Sequence, residues 1–260
     1  MTDRNTGLGV LVLAMAAFAM SPVIAGAKGK PADKGKASSE GPRVVRFAGH
    51  DWLVKGSGRE RVGPGPNLFS DRETNVWVDD FGRLHLRVSR SGKRWYAAEV
   101  VSTESFGHGL YRFYLDTPTH ALAPSVVLGL FTWNDDPAFA HREIDIEFSR
   151  WSDPANPVNA QYVVQPYDLP GNLVSFVQPA LAPTTHTFDW QPSAVSFRSL
   201  VGFAREPSTP NDVIAEWTYD GDVPQAGGEN ARINLWMFRG EPPADGRPAE
   251  VIVSDFEFVP

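Results

Sequence analysis

The chain has 260 residues, of which 42% are hydrophobic and none is cysteine. This length and composition allow one large core, and the absence of cysteine excludes disulfides, thiolate metal ligands and a lipidated N-terminal cysteine. The net charge is −7, and residues 1–27 are neutral overall. Because the four lysines of residues 28–41 outnumber Asp33 and Glu40 by two, residues 42–260 carry −9. We do not expect such an acidic domain to bind nucleic acid.

The N-terminal 27 residues have the pattern of a secretory signal peptide. Asp3 and Arg4 are the only charged side chains there, an apolar run follows, and the small residues at 25–27 suit cleavage after Ala27. An uncleaved membrane anchor is the alternative, because the segment 5–27 is long enough to span a bilayer. We expect cleavage, a secreted or periplasmic protein, and no stable membrane association afterwards.

The next segment, residues 28–41 (KGKPADKGKASSEG), holds Lys, Gly, Pro and Ser with almost nothing to bury. This composition predicts a disordered tether. Residues 42–260 then form one predicted domain.

The pattern of this domain predicts an all-β fold. Short alternating apolar and polar segments are separated by Gly, Pro, Asn and Asp, and 22 prolines and 23 glycines interrupt any helical period. Many short strands with frequent turns are typical of a β-sandwich or jelly roll. The clearest alternating segments are 83–89, 109–116, 142–149, 194–200 and 232–238.

The most informative motif is EIDIE, in which Glu143, Asp145 and Glu147 alternate with Ile144 and Ile146. On a β-strand the three acids project from one face and the two isoleucines from the other. Two carboxylates on one surface are what glycoside hydrolysis requires, one as nucleophile or base and one as acid. The Cα atoms of the two glutamates lie about 13 Å apart on a straight strand, so their side chains must lean together. A half-buried strand with a solvated acidic face is the alternative interpretation.

Together with four other blocks, this motif resembles the active-site region of glycoside hydrolase family 16, and within it the bacterial lichenases (endo-β-1,3-1,4-glucanases). The other blocks are NVWVDDFGRLHLRV (75–88), AEVVSTESFGHGLYR (98–112), HTFDWQP (186–192) and NLW (234–236). The resemblance covers about residues 65–260. No residue is inserted between Asp145 and Glu147, which favours the lichenase or transglycosylase side of the family over the laminarinase type.

The resemblance implies a jelly roll of two curved antiparallel sheets with a concave substrate cleft. It also implies that Glu143 is the nucleophile, Glu147 the general acid/base, and Asp145 the residue that positions and tunes the pair. The expected reaction is retaining endo-hydrolysis of β-1,3-1,4- or β-1,3-glucan, with no cofactor required for the chemistry and a monomeric protein.

The same resemblance suggests residues that bind the glycan. Trp133 and Trp236 match aromatic positions of the cleft, and aromatic faces suit the apolar faces of sugar rings. Glu99 matches a carboxylate that hydrogen-bonds sugar hydroxyls on the nonreducing side. Gln161 and Tyr162 fall where the family has polar and aromatic cleft residues. Trp190 is expected to pack in the core, and His186 fits either the core or the cleft.

Three positions depart from the lichenase pattern. Val101 stands where lichenases have an arginine, and His141 and Arg142 replace a Trp-Asp pair. Arg142 is expected to be a surface charge on the face opposite Glu143. These departures weaken the assignment of mixed-linkage glucan as substrate more than the family assignment.

A structural calcium is a further expectation from the resemblance. Asp255 and the carbonyl of Gly82 would be its ligands, because hard oxygen ligands suit calcium. A plain surface acid is the alternative for Asp255.

Other functions remain open or are disfavoured. A noncatalytic carbohydrate-binding jelly roll, a transglycosylase and a β-galactan hydrolase of the same family are the alternatives. A serine esterase is disfavoured because no G-x-S-x-G motif occurs, and the HREID stretch lacks the second histidine of a zincin.

Overall fold

A computed structural model describes residues 41–260, so the predicted signal peptide and the predicted tether, apart from Gly41, lie outside the described residues. Sixteen strands and four single turns of 3-10 helix occupy this part of the chain. Within it, no helix is both long and apolar enough to cross a bilayer.

Eight of the strands form one antiparallel sheet, which we call the front sheet, in the order β1-β2-β6-β15-β8-β9-β10-β11. Its strands are β1 (Val44–Phe47), β2 (His50–Val54), β6 (Ala98–Ser102), β8 (Val126–Trp133), β9 (Ile144–Phe148), β10 (Ala160–Val164), β11 (Leu173–Phe176) and β15 (Asn230–Met237).

The remaining strands form the back sheet, in the order β14-β13-β12-β7-β16-β4-β3, with β5 added at the edge of β4. They are β3 (Val76–Val78), β4 (Leu84–Ser91), β5 (Arg94–Tyr96), β7 (Gly109–Leu115), β12 (Thr184–Gln191), β13 (Ala194–Val201), β14 (Val213–Tyr219) and β16 (Ala249–Val259). The helical turns are Thr119–Ala121, Ala140–Arg142, Pro210–Asp212 and Phe238–Gly240.

The core lies between the two sheets. Along each strand, apolar side chains that face the other sheet alternate with side chains that face outward. On β13, for example, Val195 and Phe197 are buried, while Ser196 between them is exposed. Neighbouring strands in each sheet run antiparallel, and the predicted all-β jelly-roll sandwich is confirmed.

Polar side chains also bridge the two sheets inside this core. The hydroxyl of Tyr162 on β10 lies 2.6 Å from the Ser199 hydroxyl and donates to the Ala215 carbonyl at 3.2 Å. His186 contacts the same Ser199 hydroxyl at 2.7 Å and the Thr184 hydroxyl at 2.9 Å. Burial lowers the pKa of His186 to about 3, so the imidazole is neutral. The network satisfies groups that would otherwise be buried without partners.

Replacing Tyr162 by Phe is expected to destabilise the domain without affecting a reaction on the outer face of the front sheet. The variant leaves the Ala215 carbonyl without its Tyr162 donor, which costs about 0.5–1.5 kcal/mol of unfolding free energy in chemical denaturation. Tyr96→Phe is the matched control, because the half-buried Tyr96 ring contacts Arg72 and its hydroxyl has no hydrogen bond among the described residues. Equal stability of both variants would contradict the role of the network.

Candidate active site

The EIDIE segment alternates as the sequence predicts. Ile144 and Ile146 are fully buried in the core between the sheets, while Asp145 and Glu147 lie on the outer face with 4% and 8% exposure. Glu143 is half-buried immediately before β9. Because β9 is a central strand, paired with β8 on one side and β10 on the other, the backbone under these acids is held on both sides.

Strand register places polar side chains in a row beside Glu147. Gly129 of β8 and Gln161 of β10 lie directly opposite it, and Asn234 of β15 and Glu99 of β6 continue the row across the sheet. Gly129 is required for this arrangement, because a Cβ there would lie only 2.6 Å from the Asn234 side-chain oxygen. Asn234 is buried, and that oxygen has no hydrogen-bond partner among the described residues.

Side-chain amides hold two of the three acids. Gln161 donates to Glu147 at 2.7 Å, and Gln165 donates to Asp145 at 3.1 Å. The Glu143 carboxyl shares a hydrogen bond with Asp145. Glu143 and Asp145 are therefore joined by a hydrogen bond, and Glu147 interacts with both through its charge.

Crowding and burial raise the pKa of every member of this group. Burial is the largest cause for Glu143, Asp145 and Glu147 alike. The negative charge of Glu147 raises the pKa of Glu143 further, and both glutamates raise that of Asp145. The amide donors act in the opposite direction by stabilising the charged forms. Because the charges interact, the protonation steps belong to the group and do not by themselves separate nucleophile from acid.

Glu99 lies on the outer face as expected, but it is fully buried. Its carboxylate accepts hydrogen bonds from Lys55 at 2.9 Å and from Arg232 at 3.4 Å. Residues 56–70 cover this end of the sheet, where Lys55 also lies over the Phe69 ring and donates to the Gly63 carbonyl. In this conformation Glu99 is covered and paired, so its contact with sugar hydroxyls stays a prediction.

Arg232 explains the departure at position 101. Val101 of β6 lies directly opposite Arg232 of β15, so a guanidinium is supplied from the neighbouring strand. Arg232 also lies over the Trp133 ring at 5.9 Å, and its positive charge lowers the pKa of Glu143. The sequence analysis missed this residue, because only the strand register reveals that it stands beside Val101.

The two predicted aromatic cleft residues differ in accessibility. Trp236 lies on the outer face but is only 6% exposed, with Gly65 of the covering segment close to its ring. Trp133 is half-buried, and the His141 ring stacks on it at 4.1 Å with an interplanar angle of 7°. A sugar that stacks on this face of Trp133 must displace His141.

The structure corrects the prediction for Tyr162. Gln161 points outward beside Glu147 as expected, but Tyr162 points inward, is fully buried, and belongs to the polar network between the sheets. Adjacent residues of a strand face opposite sides, so both cannot line one cleft. His186 and Trp190 are also fully buried, which agrees with the packing role expected for Trp190.

Arg142 is a second correction. It is buried rather than a surface charge, and β9 begins only at Ile144. Residues 139–142 all have left-handed backbone conformations, with φ between 49° and 61°. This conformation is unfavourable for side chains other than glycine, so contacts must hold the turn. The Arg142 guanidinium lies over the Phe139 ring at 5.2 Å, and the His141 ring donates its Nδ1–H to the Asn134 carbonyl at 2.8 Å.

The predicted calcium ligands lie on adjacent back-sheet segments. Asp255 is an exposed residue of β16, and its carboxylate accepts the backbone N–H of Phe256 at 2.9 Å. Gly82 is in the turn before β4, the strand that pairs with β16. Within residues 41–260 no cluster of three His, Asp or Glu side chains is placed to hold a metal. One carboxylate and one carbonyl are fewer than the six to eight oxygens that calcium takes, so this site stays a prediction.

Several solved structures share this fold over most of the chain. The β-glucanase of Bacillus licheniformis matches with a TM-score of 0.61 and 18% identity, covering 86% of this chain and all of that one. The fold is that of the β-glucanases. A prokaryotic β-1,3-1,4-glucanase (lichenase) from a mouse hindgut metagenome matches with a TM-score of 0.56 and 17% identity, over 80% of this chain and 92% of that one. The resemblance found in the sequence is thus confirmed at the level of the fold.

Another neighbour with the β-glucanase fold is described as an immunostimulatory antigen and pseudo β-1,3-glucanase of Mycobacterium tuberculosis. It matches with a TM-score of 0.52 and 23% identity, over 78% of this chain and 88% of that one. No protein-family model and no curated protein matches the chain. The fold by itself therefore accommodates more than one function.

Replacing Glu143 by Gln is expected to reduce the loss of stability at high pH. A carboxyl whose pKa is raised on folding binds more protons in the folded chain, so the unfolding free energy falls as pH rises from the usual value of 4.5 through the raised value. Glu143→Gln removes one such group, and its unfolding free energy should fall less than that of the wild type between about pH 6.5 and 8. Denaturant titrations at several pH values measure this slope.

The exposed Glu73 provides the control, since Glu73→Gln should keep the wild-type slope. His186 is present in both proteins, so its contribution to the slope cancels when Glu143→Gln is compared with the wild type. Identical slopes for wild type and Glu143→Gln would show that this carboxyl is not desolvated.

The pair of Arg232 and Glu99 is expected to be energetically coupled. Arg232→Met leaves a fully buried carboxylate with Lys55 as its remaining cation, which should cost on the order of 1–3 kcal/mol of unfolding free energy. Adding Glu99→Gln should recover part of this loss. A double-mutant cycle measures the coupling, and strictly additive single effects would contradict the pairing.

Proposed function

We propose that this chain is a glycoside hydrolase that cleaves β-glucan by a retaining, double-displacement mechanism. The observation that carries the proposal is the group of three interacting carboxyls at residues 143–147, with Asp145 and Glu147 buried on the outer face of β9 and Glu143 half-buried beside them. Burying mutually repelling acids is costly, and a strand that serves only the fold gains nothing from it. Raised pKa values keep protons on the group near neutral pH, as an acid catalyst requires.

In the first step of this mechanism, a carboxylate oxygen of Glu143 attacks the anomeric carbon. Glu147 donates its proton to the glycosidic oxygen, the bond between that oxygen and the anomeric carbon breaks, and the leaving sugar departs. The product is a glycosyl ester on Glu143. Asp145, bonded to Glu143 and to Gln165, orients the nucleophile.

In the second step, the Glu147 carboxylate takes a proton from water while the water oxygen attacks the anomeric carbon. The ester bond breaks and Glu143 is restored as a carboxylate. Two inversions give net retention. The chemistry uses side chains alone and calls for no cofactor.

The proposal extends to the setting of the enzyme. We propose that the protein is exported to the periplasm or the medium and acts as a monomer. Its proposed substrate is an extended β-1,3-1,4- or β-1,3-glucan, which it cleaves at internal glycosidic bonds. The solved β-glucanases that share the fold support the substrate class. A structural calcium at Asp255 and Gly82 belongs to the same proposal.

Replacing Glu143 or Glu147 by Gln is expected to lower reducing-sugar release from barley β-glucan and laminarin by at least about 1,000-fold, because each has a separate role in bond cleavage. Asp145→Asn should reduce it less. Glu73→Gln, an exposed acid outside the group, is the control and should act as the wild type does. Full activity in either glutamine variant would contradict the catalytic role proposed for the replaced glutamate.

The nucleophile can be identified separately. Glu143→Ala with added azide should regain turnover of an aryl β-glycoside and give the α-glycosyl azide, because azide replaces the missing carboxylate in a single inversion. With Glu147→Ala, azide should give the β-glycosyl azide by attack on the glycosyl ester. Proton NMR of the anomeric centre distinguishes the two products. If Glu143→Ala gave the β-glycosyl azide and Glu147→Ala the α-glycosyl azide, Glu147 would be the nucleophile and Glu143 the acid/base.

A noncatalytic glycan-binding protein is the second candidate. It is favoured by the coverage of Glu99 and Trp236, and by the neighbour described as a pseudo β-1,3-glucanase. It predicts measurable affinity for β-glucan with no reducing-sugar release from any member of a glucan and galactan panel. Release of β-galactan fragments, or of longer transfer products, would instead indicate the related enzymatic activities.

A further inference from the structure

A pocket of about 600 Å³ opens at one end of the front sheet. Its walls are the β10–β11 connection (residues 165–172), the end of β14 with the following turn (residues 217–224), and Phe139 with Ala140. We call it the hairpin pocket. Its volume lies in the range of sites that hold small molecules.

The hairpin pocket adjoins the Glu143 end of the acid group. Gln165 lines the pocket, donates its side-chain amide to Asp145, and donates its backbone N–H to the Glu143 carbonyl at 3.1 Å. Phe139 and Ala140 belong to the left-handed turn that leads directly into Glu143. Gln165 and this turn therefore connect the wall of the pocket to the acid group.

The Trp217 ring, which lines the pocket, is supported by an aromatic stack from the core. Tyr162 stacks on Phe197 at 4.9 Å, and Phe197 stacks on Trp217 at 5.2 Å with an interplanar angle of 17°. This stack begins in the core and ends at Trp217, which is half-buried and lines the pocket. An indole held from behind in this way suits stacking by the apolar face of a sugar ring.

The rim of the pocket combines apolar and polar groups. Phe139 and Leu169 are 46% and 53% exposed, which is high for large apolar side chains. Asp220 and Asp222 supply carboxylate acceptors, whereas the Gln165 side chain is bonded to Asp145 and to the Tyr167 backbone. Flat apolar surface with convergent polar groups fits a carbohydrate better than a purely apolar ligand.

The charge of the pocket narrows the ligand class. Among the described residues that line it there are two carboxylates, Asp220 and Asp222, and no lysine, arginine or histidine. Sulfated or uronic acid sugars would face like charge without a cation, whereas uncharged hydroxyls can donate to both acids.

We propose that the hairpin pocket binds an uncharged glycan segment, stacked on Trp217, that is continuous with the segment lying over the acids. The continuity rests on the proposed function, whereas binding in the pocket does not. Trp217 and Phe139 act in binding and take no part in bond cleavage.

Isothermal titration with laminarihexaose, and separately with a mixed-linkage glucan hexasaccharide, tests the proposal in the Glu143→Gln background. Trp217→Ala and Phe139→Ala should each weaken binding of at least one probe by about tenfold, the loss expected for one stacked ring. Trp77→Ala is the matched control, a half-buried tryptophan of the back sheet away from the pocket. It should bind both probes as the parent does.

Trp217 packs on Phe197, so thermal unfolding of each variant accompanies the titration. Phe139 is exposed and provides the decisive variant if Trp217→Ala does not fold. Because Phe139→Ala also removes the Arg142 contact in the turn 139–142, its loss of binding counts for the pocket only if it unfolds at the same temperature as the parent. An oligogalacturonate hexasaccharide should bind at least tenfold more weakly than the neutral probes. Unchanged affinity in Phe139→Ala and in any folded Trp217→Ala would overturn the pocket, and equal binding of the anionic probe would overturn the ligand class.

Failure of the pocket and failure of the proposed function give different results. If hydrolysis of glucan requires Glu143 and Glu147 but the pocket variants bind as the parent does, only the proposal for the pocket is contradicted. If binding depends on Trp217 and Phe139 but the wild type does not hydrolyse glucan, only the proposed hydrolase function is contradicted. If both hold, Trp217→Ala in the active enzyme should raise KM for long oligosaccharides and leave kcat near the wild-type value.

Discussion

The crowding of three carboxyls at residues 143–147, two of them buried on the outer face of β9, is the constraint around which this domain is arranged. Glu143, Asp145 and Glu147 repel one another when charged and lose water by burial, so their shared position raises their pKa values. The strand that carries them is anchored by Ile144 and Ile146 in the core and by a neighbour on each side. This rigid support allows unfavourable charges to be held close together, at a cost in stability that the large core offsets.

The surroundings of the acids moderate this cost in distinct ways. Amide donors from Gln161 and Gln165 stabilise charge on individual oxygens without adding a cation next to the reacting face. Arg232 supplies positive charge from a neighbouring strand, where it also pairs with Glu99. The left-handed turn 139–142 brings the chain into Glu143 and stacks His141 on Trp133.

The sequence was sufficient for those features that depend on local alternation. The faces of Ile144 and Ile146 and the all-β sandwich follow from period-two patterns, whereas the outward position of Gln161 was expected from the family resemblance. The same alternation shows that Gln161 and Tyr162 cannot line one cleft, so it excludes the cleft role predicted for Tyr162. Arg232 beside Val101 and the coverage of Glu99 depend on strand order and on a distant loop, which local patterns do not encode. Arg142 was misassigned because alternation was extended into a turn with left-handed backbone.

The most direct test of the account is the titration of the acid group itself. Carbon-13 NMR of the glutamate side-chain carboxyls, assigned with Glu143→Gln and Glu147→Gln, reports the protonation of each group as pH is raised. The account predicts that the wild type retains at least one of these protons well above the usual glutamate pKa of 4.5, and that removing one glutamate shifts the titration of the other to lower pH. Independent titration of both carboxyls near 4.5 would contradict it.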